Sequence, residues 1–269
     1  MNKKSASVIF FLLWTFAISY GLWAICIFGQ RVGWFPSGSN WFMPFYIVGG
    51  NAPPIAAYLT LKRSDPDFTF KKFLKFTFDV KQKPLYYALT FLTVAIFFIV
   101  PAITGNLETG AAPGLENQGI SGQVPLYLTL LAIPVFFFGG GSEEIGWRGI
   151  LQPELEKKMP FLPSTLITAV IWTLWHLPLW WINGTGQAEV NFWFFLITVI
   201  GFSFGYAAVR RVSGSLFLCV LMHCAWNSLQ GTWPVKYDLM TRSSIAIAFV
   251  LFSVIVVYIH KKVLQHKDT

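Results

Sequence analysis

Phe136-Phe137-Phe138-Gly139-Gly140-Gly141-Ser142-Glu143-Glu144-Ile145-Gly146-Trp147-Arg148-Gly149-Ile150-Leu151 sets two carboxylates and a guanidinium inside an otherwise apolar run. Two further polar clusters share its four-residue spacing, Trp172-x-x-x-His176 and His223-x-x-x-Asn227. In a soluble chain such groups would mark a solvated helix face. In a membrane helix each ionisable group costs roughly 2.5–3.5 kcal/mol near the helix centre. A chain that keeps them there uses them, which points to chemistry rather than to a membrane spacer.

The surrounding sequence decides for the membrane. Of 269 residues, 55% are hydrophobic, 18% aromatic and only 12% charged, against about 25% charged in a soluble domain. A span needs about 20 mostly apolar residues. Candidate spans lie near 8–29, 41–61, 86–103, 125–148, 163–182, 191–209, 215–234 and 243–260. The expected fold is therefore all-α, a polytopic transmembrane helical bundle of about eight spans. Residues 1–269 read as a single transmembrane domain, since the polar stretches are too short to hide a second one.

The net charge of +8 does not point to nucleic acid, because the basic residues are sorted by side. With the N-terminus inside, Lys3 and Lys4, the basic stretch from Lys62 to Lys83, Arg148, Lys157 and Lys158, Arg210 and Arg211, and Lys261, Lys262 and Lys267 all fall on the cytoplasmic side. Only Arg31, Lys236 and Arg242 fall outside. This is the positive-inside pattern, and it places both termini in the cytoplasm. The stretch Lys71-Lys72-Phe73-Leu74-Lys75-Phe76 reads either as an amphipathic segment touching anionic membrane lipids or as an ordinary topology signal. The N-terminal apolar run is too long for a signal peptide and has no small-x-small cleavage site, so it reads as a retained helix. Cys26, Cys219 and Cys224 fall within spans at no paired spacing and read as apolar packing.

A hairpin test brings the clusters together. Taking Pro160 as the centre of a cytoplasmic turn, Glu143 lies 17 residues before it and His176 16 after, at nearly equal depth. Pro153 is expected to kink the descending arm. His223 lies nine residues past Gly214, roughly 13 Å into the membrane at 1.5 Å per residue. Asn227 shares its helix face. Glu143 and Glu144 point about 100° apart on a helix, so one is expected to do chemistry while the other pairs with Arg148 four residues on. Arg148 reads alternatively as an interfacial anchor, and Trp172 as packing. His260 and His266 lie in the basic tail and read as solvated or interfacial. Gly201-x-x-x-Gly205 reads as close helix packing, and Asn183-Gly184-Thr185 as a chance glycosylation match.

These residues resemble the motifs of the CPBP family of intramembrane proteases, which includes CAAX-prenyl endopeptidases and Abi-type bacteriocin-processing or immunity proteins. The match is Glu143-Glu144-x-x-x-Arg148, then Trp172-x-x-x-His176 where the family often has Phe-x-x-x-His, then His223-x-x-x-Asn227, in a core of about 125–234. The resemblance implies peptide hydrolysis by activated water. Glu143 would be the general base, helped by His176. His223 and Asn227 would polarise the scissile carbonyl or stabilise the oxyanion, with Glu144 and Arg148 as supports. The family is commonly called a metalloprotease. The chain lacks His-Glu-x-x-His, the helical zinc signature. Glu143, His176 and His223 form a possible Zn²⁺ ligand set, since His₂Glu is a known one, and the same residues also make a metal-free site.

The alternative readings are a non-catalytic bacteriocin-immunity or binding membrane protein and an ion-coupled transporter. Against the transporter, the halves show no inverted repeat and the polar residues are confined to the second half. The partner expected is a peptide or protein substrate, either a lipidated tail or a bacteriocin leader. The compact loops suggest a bacterial cytoplasmic (inner) membrane.

Overall fold

The computed structural model of the protein describes residues 7–35, 39–104, 136, 140–229 and 237–265. Every regular element among these residues is helical. The main helices are α1 (Val8–Arg31), α2 (Met43–Gly50), α3 (Ala52–Ser64), α4 (Phe70–Thr77) and α5 (Pro84–Ile103). A composite helix over 141–156 follows, then α6 (Phe161–Trp175), α7 (Phe192–Ser213), α8 (Leu216–Leu229) and α9 (Leu239–Gln265). Among the described residues, five helical segments are long and apolar enough to cross a membrane: Val8–Arg31, Pro84–Ile103, Phe161–Trp181, Phe192–Ser213 and Leu239–Val263. Leu216–Ser228 is a shorter apolar helix. The protein is an all-α, multi-pass integral membrane protein.

Two of the expected spans need comment. That at 41–61 is divided into α2 and α3 at Asn51. Pro53 and Pro54 lack the N–H that would continue a helix from α2, and proline is tolerated in a first turn. The Asn51 side chain donates to Ile47 O at 2.9 Å, alongside its own backbone N–H at 3.0 Å, and so closes the last turn of α2. The span at 125–148 falls outside the described residues, except for Phe136 and from Gly140 onward.

The chain divides into two compact units, Met1–Phe78 with Ser142–Leu196, and Asp79–Gly141 with Ile197–Thr269. In the first, Ser7 caps α1 by accepting from Phe10 N at 3.2 Å. The core is aromatic. Trp147 lies edge-on to Phe11 at 5.7 Å and to Trp175 at 5.6 Å, and Trp175 packs on Trp23 at 5.0 Å. Buried indoles need an acceptor, and Trp175 Nε1 finds one in Ser19 Oγ at 2.6 Å. Ser19 Oγ in turn donates to Gly49 O at 2.7 Å, stitching α1 to α2. In α4, Phe73 is buried on Tyr58 at 5.4 Å, while Phe70 and Leu74 are exposed.

The second unit holds α5, α8, α9 and all but the first turns of α7. A methyl group on Gly201 would lie 2.8 Å from Ala246 Cα, and one on Gly205 within about 3.1 Å of Met222, Phe249 and Thr93. The small-residue stripe thus lets α7 approach α9 closely, as its spacing predicts. Phe97 of α5 stacks on Phe202 of α7 at 5.7 Å and meets Trp226 of α8 edge-on at 5.4 Å. Gly214, at φ +70°, ends α7 in the left-handed conformation that glycine adopts without strain. The three cysteines are buried and unbridged.

Candidate active site

Gly140, just before the composite helix, has a φ of +98°, which is costly for any residue with a side chain. A 3-10 turn covers Gly141–Glu143, an α turn Glu144–Gly146, a π turn Trp147–Leu151 and a final α turn Gln152–Glu156. Pro153 has no N–H for Gly149 O and its ring crowds that carbonyl, so the wide π turn stands where the expected kink falls. Ser142 Oγ donates to Asn51 Oδ1 at 2.7 Å, tying the start of this helix to the α2–α3 break. A methyl group on Gly146 would meet Pro53 Cβ at 2.7 Å and Pro53 O at 3.0 Å, so the helix lies directly against α3.

This packing divides the two adjacent carboxylates. Glu144 turns to Arg148, with Oε2 3.2 Å from Nη1 and both side chains wholly buried. Arg148 is therefore no interfacial anchor. Its guanidinium carbon lies 4.8 Å from the centre of the Trp172 ring, a cation–π contact. Glu143, about 100° round the helix, faces α6 instead. Trp172 Nε1 donates to Glu143 Oε2 at 2.6 Å. Trp172 was expected only to pack, and the structure makes it a partner of the carboxylate.

His176 caps α6, where Pro178 follows and the helix gives way to a 3-10 turn over Leu177–Trp181. Its Nδ1 lies 2.9 Å from Trp172 O. A carbonyl only accepts, so Nδ1 carries the proton and, in the neutral ring, Nε2 keeps a lone pair. Nε2 points toward Glu143, 4.0 Å from Oε2. Trp175 at 4.6 Å and Phe195 at 5.0 Å enclose the imidazole edge-on. Glu143 and His176 are 7% and 6% exposed, so the pair lies in a nearly dry setting. Equal depth on the two arms of the hairpin, as the residue count predicts, is what this distance requires.

In the second unit, His223 is buried on α8 and stacks on Tyr206 of α7, with ring centres 5.4 Å apart and planes 24° apart. Cys219 Sγ, one turn earlier, donates to Tyr206 O at 3.5 Å. Asn227 lies one turn beyond His223 and is half-buried. His260 is half-buried on α9, and His266 falls outside the described residues.

Among the described residues, no group of three His, Cys, Asp or Glu side chains is gathered to hold a metal ion. Glu143 and His176 supply two donors in the first unit, one fewer than the three protein ligands of a catalytic zinc. Asn51 and Ser142 are the positions that sequence reasoning missed. Their signal was a lone amide just ahead of Pro53-Pro54 in an apolar run, and a hydroxyl beside the paired glutamates.

The sequence family described as "Rce1-like: Type II CAAX prenyl endopeptidase Rce1-like" matches residues 125–229, a range containing Glu143, Glu144, Arg148, His176, His223 and Asn227. A curated protein of Methanococcus maripaludis, "CAAX prenyl protease 2", is 24% identical over 247 residues, covering 85% of either chain.

Proposed function

For this chain, which belongs to the CPBP family of intramembrane endopeptidases, we propose that Glu143 activates the water that hydrolyses the peptide bond. One observation carries the reading, the buried Glu143–His176 pair with Nε2 and Oε2 4.0 Å apart. A water about 2.8 Å from both atoms would see them about 90° apart, close to the angle between its own two O–H bonds. One hydrogen would point to the carboxylate and the other to the imidazole lone pair, leaving an oxygen lone pair for attack.

Free water has a pKa near 15.7 and needs such help. As the O–H bond toward Glu143 breaks, the proton moves to the carboxylate and the oxygen bonds to the carbonyl carbon. Glu143 then returns the proton to the departing amine when the C–N bond breaks. His176 orients the water. For His223 and Asn227 we retain the role that the resemblance implies, donation to the carbonyl oxygen as negative charge develops on it. The wholly buried Glu144–Arg148 pair supports the helix that carries the base.

The basic residues favour eight spans with both termini in the cytoplasm, the depth count favours a site near that face, and the compact loops favour a bacterial inner membrane as the setting. In α4, Lys71, Lys72 and Lys75 are exposed beside Phe70 and Leu74, a pattern suited to anionic headgroups. The relative named for CAAX prenyl processing favours a lipidated C-terminal peptide as substrate, and a bacteriocin leader is the other class to assay.

The test is cleavage of prenylated C-terminal and leader peptides by purified protein in liposomes. Wild type, Glu143→Gln and His176→Ala are compared with and without a chelator. Cleavage is expected in wild type and lost in both variants. Cleavage retained in both would sink the mechanism. Loss to the chelator with recovery on adding zinc would bring in the Glu143, His176 and His223 ligand set.

A further inference from the structure

We infer that Trp172 is a positioning residue that sets the geometry of the Glu143–His176 pair, through its indole N–H on one side and its carbonyl on the other. The inference rests on the reading of Glu143 as the base. The indole N–H donates to Glu143 Oε2 at 2.6 Å, a short contact between two buried groups. Hydrogen bonds to an ionised carboxylate are shorter and stronger than neutral ones. The same residue's carbonyl accepts a hydrogen bond from His176 Nδ1 at 2.9 Å. One residue therefore touches both members of the pair.

The ring is itself held. Arg148 lies over the indole at 4.8 Å and is pinned by Glu144 at 3.2 Å. Glu144 and Arg148 thus act on Glu143 through Trp172, which gives the second carboxylate and the guanidinium a structural path to the first. The last torsion of a glutamate is broad and poorly determined by its own chain. A donor on Oε2 removes that freedom and keeps the carboxylate turned toward Nε2. The phenylalanine that the resembled family often carries at this position would keep an aromatic ring under the guanidinium and the backbone acceptor for His176. It would lack the N–H, so the hold on Glu143 belongs to the tryptophan of this chain.

The variant that isolates this group is Trp172→Phe, with 3-benzothienylalanine at 172 as a closer isostere in which sulfur replaces N–H. Both are expected to lower kcat about tenfold, the scale of one hydrogen bond to a charged group, with KM within about twofold of wild type. A mere packing role would instead lower thermal stability and leave the kcat of the folded fraction alone. A second readout does not need turnover. In protein labelled with ¹⁵N-tryptophan, the Trp172 indole N–H resonance is assigned by its loss in Trp172→Phe. It is expected downfield, and to move upfield in Glu143→Gln but not in Glu154→Gln. Wild-type kcat in both 172 variants, or a resonance indifferent to Glu143→Gln, overturns the inference. Full cleavage by Glu143→Gln with the resonance still shifted overturns the base reading and leaves the hold on Glu143 standing.

Discussion

Arg148 lies wholly out of solvent between the Glu144 carboxylate and the face of Trp172. Removing one partner of a buried ion pair leaves the other charge uncompensated, at about 3–5 kcal/mol. Arg148→Ala should therefore lose thermal stability strongly. The double variant Glu144→Gln/Arg148→Met should recover much of it, because neither buried charge remains. Thermal unfolding in detergent reads this, and equal melting of single and double variants would argue against a buried pair. Arg148→Lys keeps the charge but not the planar guanidinium that lies on the indole, so it should cost activity more than stability. The same scale explains why the sequence shows only the packing role of Trp172. An aromatic residue in an apolar run is consistent with packing, and only the position of its Nε1 shows the acceptor.

At the scale of the element, the composite helix is the part whose geometry matters most, and glycines govern where it can lie. A methyl group at Gly146 meets Pro53 Cβ at 2.7 Å and backbone at 3.0 Å. Overpacking of this kind costs typically about 1–3 kcal/mol. Gly146→Ala should melt earlier and cleave more slowly, since the helix shifts while carrying Glu143 and Arg148. Gly21 of α1 is the control, because a methyl group there meets nothing within 4 Å. Gly21→Ala should be neutral or more stable, alanine being favoured by up to about 1 kcal/mol inside a helix. Equal effects of the two substitutions would show that α3 does not restrain the composite helix. The 3-10, α and π turns in this helix were not legible beforehand. Periodicity reports which residues share a face, whereas the local winding depends on Pro153, on the Asn51–Ser142 contact and on the close approach to α3.

For the whole molecule, the testable statement is topology. Reporters fused after Lys4, within the 62–85 stretch, at Lys157 and after Lys267 should all report the cytoplasm, and one at Lys236 the opposite side. Cytoplasmic signals from both Lys157 and Lys236 would break the proposed span order. The asymmetry of lysine and arginine carries this prediction independently of hydropathy.

Apolar run length and charge asymmetry determined that the chain is a multi-pass helical membrane protein, because the bilayer imposes a minimum length and a cost for charge. Four-residue spacing joined Glu144 to Arg148 on one face, and counting from Pro160 put Glu143 level with His176. The tertiary structure alone decided how closely Glu143 and His176 approach each other, that Trp172 donates to Glu143, and that α2 and α3 part at Asn51. Spacing sets the face on which a side chain stands, but the rotation of that face comes from the neighbours it packs against. Here the close fit of Gly146 on Pro53 and the burial of Arg148 over Trp172 settle it.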